Sequence, residues 1–238
     1  MSLRWEHLGR ASWDAAHQRQ LALRQERLEG RGTDTVLTVE HDPVLTAGRR
    51  SDPDDLLHSE EALEAEGIAV RRAERGGSWT WHGPGQLVAY PIVRLPDRGL
   101  KVPAFVAGLE LAMAELTRET LARCGVTDVE VGRRCGFPGT WVRRSRGVAK
   151  VGAVGVHVRR FVALHGLAWN LDPNPWGFDR IVPCGLDDVE TTSVARLVAE
   201  GGGDSAALPT VDQAAARLVE LLPIAWAEPL RLRSCSIE

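Results

Sequence analysis

The sequence predicts an α+β fold in which a mixed β-sheet is covered by helices on one face. Two observations lead to this class. Helical patterns occupy both ends of the chain, whereas the middle, from about residue 126 to 171, is a succession of β-rich segments. Few of these segments alternate strictly with helices, which disfavours a doubly wound parallel sheet. We expect residues 1–238 to form one domain, because no shift in composition marks a boundary.

The first third of the chain predicts two helices and three extended segments. A helix is expected at 12–30 with Ser12 as its cap, and a short exposed one within the acidic stretch 52–66. The extended segments are rich in apolar and β-branched residues. They are 35–50, interrupted at Asp42-Pro43, then 67–77 and 85–95.

The clearest helix is predicted at 102–123. Its apolar residues recur at spacings of four, three and four, which puts on one face Phe105, Leu109, Ala112 and Leu116. Cys124-Gly125 is expected to end the helix, because glycine suits a left-handed cap. We therefore interpret Cys124 as a packing residue.

The second half predicts a run of strands and two more helices. Two of the strands adjoin at Arg159-Arg160, which indicates a hairpin. A short helix is expected at 193–200. Thr210 to Gln213 spells a capping box that opens the last helix, and Pro223 is expected to limit it.

Composition excludes several classes of protein. The 238 residues are 44% hydrophobic and 26% charged, with a net charge of −3, so nothing favours nucleic acid or an anionic membrane as a partner. The N-terminal stretch lacks the apolar core of a secretory signal. Four cysteines occur without a CxxC pair, which disfavours a zinc ribbon or a disulfide scaffold. We expect a cytoplasmic protein whose thiols can stay reduced.

Two glycine-rich stretches predict close approach of backbone to a ligand. The first, RGGSWTWHGPGQLVAYP, spans 75–91, and a long hairpin loop is the alternative interpretation. The second spans 149–171 and places Lys150 inside an apolar β pattern. A lysine is seldom buried without a partner, although its stem could also reach outward to water. His157 and His165 in this stretch could be core residues or site residues.

Cys184 lies between a proline and a glycine in RIVPCGLDD, at the end of a short apolar run. It could be an inert core thiol, a metal ligand or a nucleophile. A nearby ammonium would lower the thiol pKa and favour the thiolate. Cys184 and Lys150 could thus pass an acyl group through a thioester, but they lie 34 positions apart in the chain.

Four segments together resemble the lipoyl(octanoyl) transferase family, commonly called LipB. They are VEHDPVLTAGRR, RGGSWTWHGPGQLVAYPI, KVGAVGVHVRRFVALHGLAWNL and FDRIVPCGL, in order from about residue 38 to 193. Each motif is modest alone, and their order makes the match specific. The resemblance implies the fold of the biotin and lipoate protein ligases, which is class II synthetase-like.

The resemblance also implies the site. Cys184 would carry the acyl thioester and Lys150 would tune that cysteine. The substrate-binding residues would be Arg75, Gly76, Gly77, Ser78, Trp79, Thr80, Trp81, His82, Ala153, Val154, Gly155, Gly166, Leu167, Ala168 and His41. Trp81 stands where many members carry tyrosine, and Trp79 is bulkier than the family pattern leads us to expect.

The implied reaction moves an octanoyl or lipoyl group from acyl carrier protein to a lysine of a lipoyl domain. The acceptors would be 2-oxoacid dehydrogenase E2 subunits and the glycine cleavage H protein. The enzyme would be a monomer, with no metal, no cofactor, no nucleic acid and no membrane. Alternatives are an ATP-dependent lipoate or biotin ligase, an amidotransferase between lipoyl-bearing proteins, and a non-catalytic acyl-binding module.

Overall fold

The structure is a computed structural model with a mixed central sheet, a smaller sheet and helices packed against them. It describes residues 3–145, 147–174, 176–182, 190–227 and 236–237. The described helices are α1 (Trp13–Leu28), α2 (Glu60–Ala65), α3 (Val102–Arg123), α4 (Val194–Glu200) and α5 (Val211–Trp226). The described strands are β1 (Arg4–Ala11), β2 (Thr35–His41), β3 (Val44–Ala47), β4 (Ala69–Arg72), β5 (Thr80–His82), β6 (Gln86–Ile92), β7 (Glu130–Arg134), β8 (Phe137–Arg144), β9 (Gly147–Arg159), β10 (Val162–Asn170) and β11 (Glu190–Thr191).

The central sheet runs in the order β1-β2-β6-β10-β9-β8-β7, and β11 pairs with β9. The pairs β1–β2 and β11–β9 are parallel, and the other pairs of this sheet are antiparallel. The smaller sheet has the order β4-β3-β5. This arrangement confirms the predicted mixed sheet and α+β class.

Helices cover both faces of the central sheet, so the expectation of a single covered face was wrong. Adjacent residues of β2 show this, because side chains alternate between the faces of a strand. Leu37 packs in a cluster with Ala16 and Leu23 of α1, whereas Val36 belongs to the cluster of Phe105 on α3. All residues of β6 and β10 are buried, as in strands enclosed by two layers.

The helix boundaries follow the sequence signals closely. α3 spans the predicted 102–123, and Gly125 has the expected left-handed conformation with φ of +81°. Cys124 is free and buried, consistent with a packing role. Thr210 and Gln213 form the predicted capping box. Pro223 does not end α5, which continues to Trp226, because a proline removes one hydrogen bond without preventing the last turn.

α3 and α5 approach closely at Gly108. A Cβ at this position would lie 2.1 Å from Cδ1 of Trp226, whose indole N–H donates to the carbonyl of Phe105 at 3.3 Å. Glycine in a helix costs about 1 kcal/mol relative to alanine, whereas overpacking a core typically costs about 1–3 kcal/mol. Because the approach is far inside van der Waals contact, the packing effect should win.

We therefore expect Gly108→Ala to lower the melting temperature by about 4 °C, although alanine is the better helix former. Thermal unfolding followed by circular dichroism measures the change. In a Trp226→Leu background the same substitution should cost less, because the indole is gone. An equal or larger cost in that background would contradict the packing explanation.

Cys135, in the turn between β7 and β8, takes part in a disulfide bond, whereas Cys124 is free. The sequence left the redox state of Cys135 open. The chain end lies alongside the same strand, because the backbone N–H groups of Ser236 and Ile237 donate to the carbonyl of Arg133. Across the described ranges, no helix combines the length and apolarity needed to cross a bilayer.

Candidate active site

A cavity of about 530 Å³ opens on one side of the central sheet, where β9 and β10 meet the loop before β5. This volume lies within the range of small-molecule sites. The cavity is lined by thirteen of the fifteen predicted substrate-binding residues: Arg75, Gly76, Gly77, Ser78, Trp79, Thr80, His82, Ala153, Val154, Gly155, Gly166, Leu167 and Ala168. Three motifs that lie far apart in the sequence therefore meet at one cavity.

Two predicted residues do not line the cavity. Trp81 is buried behind it, and its indole fills the space where a Cβ at Gly83 or Gly177 would lie. His41 is fully buried one layer deeper and contacts the cavity wall through Tyr90. Both residues support the wall from behind.

Glycines allow the loop and the strands to approach at backbone distance. The N–H of Gly76 donates to the carbonyl of Val156 at 3.0 Å, which holds the loop on β9. A Cβ at Gly155 would lie 3.1 Å from the carbonyl oxygen of Gly76. At Gly166 a Cβ would lie 2.2 Å from the carbonyl oxygen of Ala89 on the neighbouring strand. The glycines thus allow backbone segments to pack against one another around the cavity, and the predicted approach to a ligand stays a prediction.

Arg75 ties this loop to the smaller sheet. Its guanidinium donates to the carbonyl and the hydroxyl of Thr46 at 2.6 and 2.8 Å, and to the carbonyl of Ser78 at 2.8 Å. The side chain is buried. These contacts assign Arg75 to shaping the cavity wall.

Lys150 is buried on β9 and lines the cavity. Its Nζ donates to the carbonyl of Pro138 at 3.3 Å and lies 4.7 Å from the centre of the Trp141 ring. Trp141 pairs with Lys150 while Thr140 pairs with Gly152, so β9 has one extra residue here. Such a bulge re-aims neighbouring side chains. The alternative in which the lysine reaches outward to water is therefore wrong.

Cys184 lies outside the described residues, so the predicted contact between its sulfur and Lys150 is not observed. The described chain on either side of it lies at the site. The N–H of Val182 donates to the carbonyl of Asp55, a cavity residue, at 2.8 Å. Thr191 of β11 pairs with Lys150.

A buried polar network that the sequence did not predict supports this region. His82 donates from Nδ1 to Oε1 of Gln86 at 2.7 Å, since the amide nitrogen of Gln86 donates to Asn170 at 2.8 Å. Asn170 in turn donates to the carbonyl of Thr192 at 3.0 Å. The network therefore holds Thr192, which follows the segment that contains Cys184, in place. Only the polarity of Gln86 and Asn170 within apolar strands signals it in the sequence.

Burial keeps neutral the three histidines that lie in or behind the cavity wall. Desolvation lowers the pKa of His41 to about 4 and that of His165 to about 3, and it holds the pKa of His82 well below its usual value. His41 donates from Nδ1 to the carbonyl of Ala11, so its Nε2 accepts from the hydroxyl of Tyr90 at 2.8 Å. His165 has φ of +58°, an unfavourable value for a residue with a Cβ.

These low pKa values predict acid destabilisation. The unfolded histidines have a pKa near 6.5, so below that pH the unfolded state binds protons that the folded His41, His82 and His165 do not bind. Stability should be full well above pH 6.5 and fall as the pH drops towards 4 and then 3. Between pH 7.5 and 5.5 we expect a loss of about 4 kcal/mol, about 1.4 kcal/mol for each histidine.

Urea unfolding at the two pH values measures this loss. The window lies above the usual range of carboxyl titration, which limits the contribution of acidic residues. His41→Gln should remove about a third of the pH dependence. A constant free energy of unfolding across the window would contradict the burial argument.

Solved structures with the same fold bind lipoate or biotin. The chain aligns with LipL1 of P. falciparum in complex with lipoate at a TM-score of 0.64 and 8% identity, covering 95% of this chain and 63% of that one. It aligns with a biotin protein ligase from Leishmania major in complex with biotin at a TM-score of 0.55 and 15% identity, covering 97% and 77%. At these identities the likeness defines the class of fold, which is that of lipoate and biotin protein ligases.

Closer relatives narrow this class to a family. The model of the lipoyl protein ligase A/B catalytic domain matches residues 14–220. An octanoyltransferase of Chloroflexus aurantiacus is 44% identical over 191 residues, covering 79% of this chain and 81% of the relative. An octanoyltransferase of Alkaliphilus metalliredigens is 37% identical over 198 residues, covering 83% and 86%. The chain therefore belongs to the lipoyl(octanoyl) transferase family within the lipoyl protein ligase A/B group, as the four motifs predicted.

Proposed function

We propose that this chain transfers an octanoyl group from acyl carrier protein to a lysine of a lipoyl domain, through a thioester on Cys184. The observation that carries the proposal is the buried Lys150 in the wall of a cavity built from the glycine motifs. The names of the relatives support octanoyl as the acyl group. Lipoyl domains of 2-oxoacid dehydrogenase E2 subunits and the glycine cleavage H protein are the proposed acceptors.

The cavity wall suits an apolar chain. Several apolar residues line it, among them Val88, Ala153, Val154, Leu167 and Ala168. An octanoyl group has about seven CH₂ and CH₃ units, each contributing about 0.8 kcal/mol when buried. Burial of the chain could therefore provide about 5 kcal/mol of binding free energy, less the cost of ordering the chain.

The chain on either side of Cys184 is attached close enough to the cavity for a Cys184–Lys150 pair. Cys184 is two residues from Val182, and two residues span about 7 Å at most. Val182 is itself bound to the cavity residue Asp55, and the chain returns to pair with Lys150 at Thr191. These two attachments support a thiol near the ammonium, where the positive charge favours the thiolate.

The proposed reaction has two acyl transfers. The Cys184 thiolate attacks the thioester carbonyl, and the carrier's thiol leaves with a proton from the Lys150 ammonium as the tetrahedral intermediate collapses, which leaves Lys150 neutral. Backbone N–H donors stabilise the oxyanion, and one such donor is typically worth about 3 kcal/mol. The lysine amine of the lipoyl domain then attacks the acyl-enzyme, Lys150 or water takes its proton, and the Cys184 thiolate leaves. Thioester exchange is level in energy and amide formation runs downhill, so no nucleotide is consumed.

The test is to incubate the purified chain with octanoyl acyl carrier protein and record its intact mass. We expect one added octanoyl group, which hydroxylamine removes and peptide mapping places on Cys184. A parallel reaction with free octanoate and ATP examines the ligase alternative. Product from octanoate and ATP, with none from the carrier protein, would overturn the transferase proposal.

The disulfide of Cys135 requires a control in this test. Peptide mapping without reduction shows whether Cys184 carries a free thiol in the purified chain. A linkage between Cys135 and Cys184 that persists in the active preparation would contradict the nucleophile assignment.

A further inference from the structure

A single peptide unit lies between two buried charged side chains beside the cavity. The N–H of Gly139 donates to Oε1 of Glu110 at 2.8 Å. The carbonyl of Pro138, which belongs to the same peptide unit, accepts from Nζ of Lys150 at 3.3 Å. The N–H and C=O of a trans peptide point in opposite directions. The carboxylate and the ammonium therefore act on opposite sides of this peptide.

Glu110 is held rigidly in this position. It lies on α3 and is only 3% exposed. Its second oxygen accepts from Nε of Arg133 at 2.6 Å, and its backbone carbonyl accepts from the hydroxyl of Thr140 at 3.0 Å. A carboxylate buried this deeply needs such partners to remain ionised. The pair with Arg133 thus keeps a negative charge against the peptide.

Glycine at position 139 allows β8 to pass close to β9 and to Lys150. Its φ is +139°, which favours glycine, and a Cβ would lie 2.4 Å from the carbonyl oxygen of Gly152 and 3.4 Å from Cε of Lys150. The backbone of β8 can therefore pass directly beside the stem of Lys150. A side chain at this position would collide with the carbonyl of Gly152, so glycine is required where β8 passes β9 beside Lys150.

We propose that Glu110 is a positioning residue for Lys150, acting through the Pro138–Gly139 peptide. A hydrogen bond from the peptide N–H to a carboxylate polarises the carbonyl, which strengthens the carbonyl as an acceptor for the ammonium. The negative charge of Glu110 also favours the ammonium through space. The inference rests on the proposed role of Lys150 in acyl transfer, and it adds a residue from α3 that contacts no substrate.

The chain contains an internal reference for the test, because it has two lysines, Lys101 and Lys150. Trace labelling of amines with acetic anhydride across a pH series, read by peptide mass spectrometry, gives the reactivity of each. Only the uncharged amine reacts. In Glu110→Gln we expect the labelling of Lys150 to move to lower pH, with a rate relative to Lys101 that rises about threefold at a fixed pH near 8.

Arg133→Gln should shift the labelling in the same direction as Glu110→Gln and by less, because without this cation the buried carboxylate loses a partner that supports its charge. Local loosening of the strand would instead raise the labelling rate of Lys150 at every pH without moving the midpoint of the curve. Midpoints at lower pH in both variants therefore support the proposal, and a uniform rise in rate with an unmoved midpoint overturns it.

Glu119→Gln is the matched control, because Glu119 lies on the same helix and pairs with Arg217 of α5 instead. It should leave the labelling of Lys150 unchanged. If Glu110→Gln does not fold, Arg133→Gln alone still decides, since an unmoved midpoint of the Lys150 labelling curve in that variant would overturn the proposal. Unchanged labelling in a folded Glu110→Gln would also overturn it.

The labelling needs no substrate, so it separates this inference from the proposed function. If octanoyl transfer by the wild type fails while the midpoint shifts appear, the transferase proposal fails and the Glu110–Lys150 coupling stands. If transfer succeeds, Glu110→Gln should displace the pH profile of kcat in the same direction as the labelling, with KM for the carrier protein unchanged. A purely structural role would not displace that profile.

Discussion

Replacing Cys184 with alanine should reduce octanoyl transfer by at least about 10³-fold, because the enzyme then has no thiol that can accept the acyl group as a thioester. The rate is measured as the octanoylation of a lipoyl-domain acceptor, followed by intact mass. Cys184→Ala should also fail to gain the octanoyl mass itself. Direct attack of the acceptor lysine on the carrier thioester would remain as a slow residual reaction.

Cys124→Ala is the matched control for this variant. Cys124 is a free thiol that is buried at the end of α3, and it lies in the core cluster rather than at the cavity. Burial raises the pKa of its thiol, so it is poorly suited to act as a nucleophile. We expect normal transfer with a modest loss of stability. Full activity in Cys184→Ala would exclude the thioester intermediate and favour an adenylate route.

The parts of the fold that sequence predicted best are those with strong local signals. α3 combines an apolar face with a terminal glycine, and its observed bounds match the expectation. β1 was missed, because Arg4–Ala11 is mostly half-buried and polar, and it becomes a strand only by parallel pairing with β2. The second covered face was missed for a related reason, since a continuously apolar strand does not say which helices will cover it.

The residues of the site also differ in how strongly local sequence patterns predict them. Glycines indicate places where the backbone needs room, so the sequence could single out Gly76 and Gly155, where the loop and the strand pack at backbone distance. Glu110 could not, because its partner Gly139 lies 29 residues away and nothing in a helix heptad marks a carboxylate that turns inward. Long-range pairs of this kind depend on how the strands are placed, which single-sequence patterns do not encode.

Replacing Lys150 with alanine should slow octanoyl transfer by about 10²–10⁴-fold, the usual contribution of a residue that moves or stabilises a proton in the reaction. The cause would be loss of the buried ammonium that favours the Cys184 thiolate, together with loss of a proton acceptor for the incoming amine. The substitution also removes the contacts of Nζ with Pro138 and the Trp141 ring. Lys150→Arg should restore the charge without restoring the rate, because a guanidinium stays protonated and cannot accept a proton from the incoming amine.

Alkylation of Cys184 by iodoacetamide across a pH series separates these two effects. In Lys150→Ala the alkylation curve should move to higher pH, since the thiolate has lost its neighbouring cation. In Lys150→Arg the curve should stay near that of the wild type while transfer remains slow, which assigns the rest of the loss to proton transfer. Lys101→Ala, at an exposed position before α3, should alter neither the curve nor the rate. An alkylation curve that is identical in Lys150→Ala and wild type would show that this lysine does not act on the thiol.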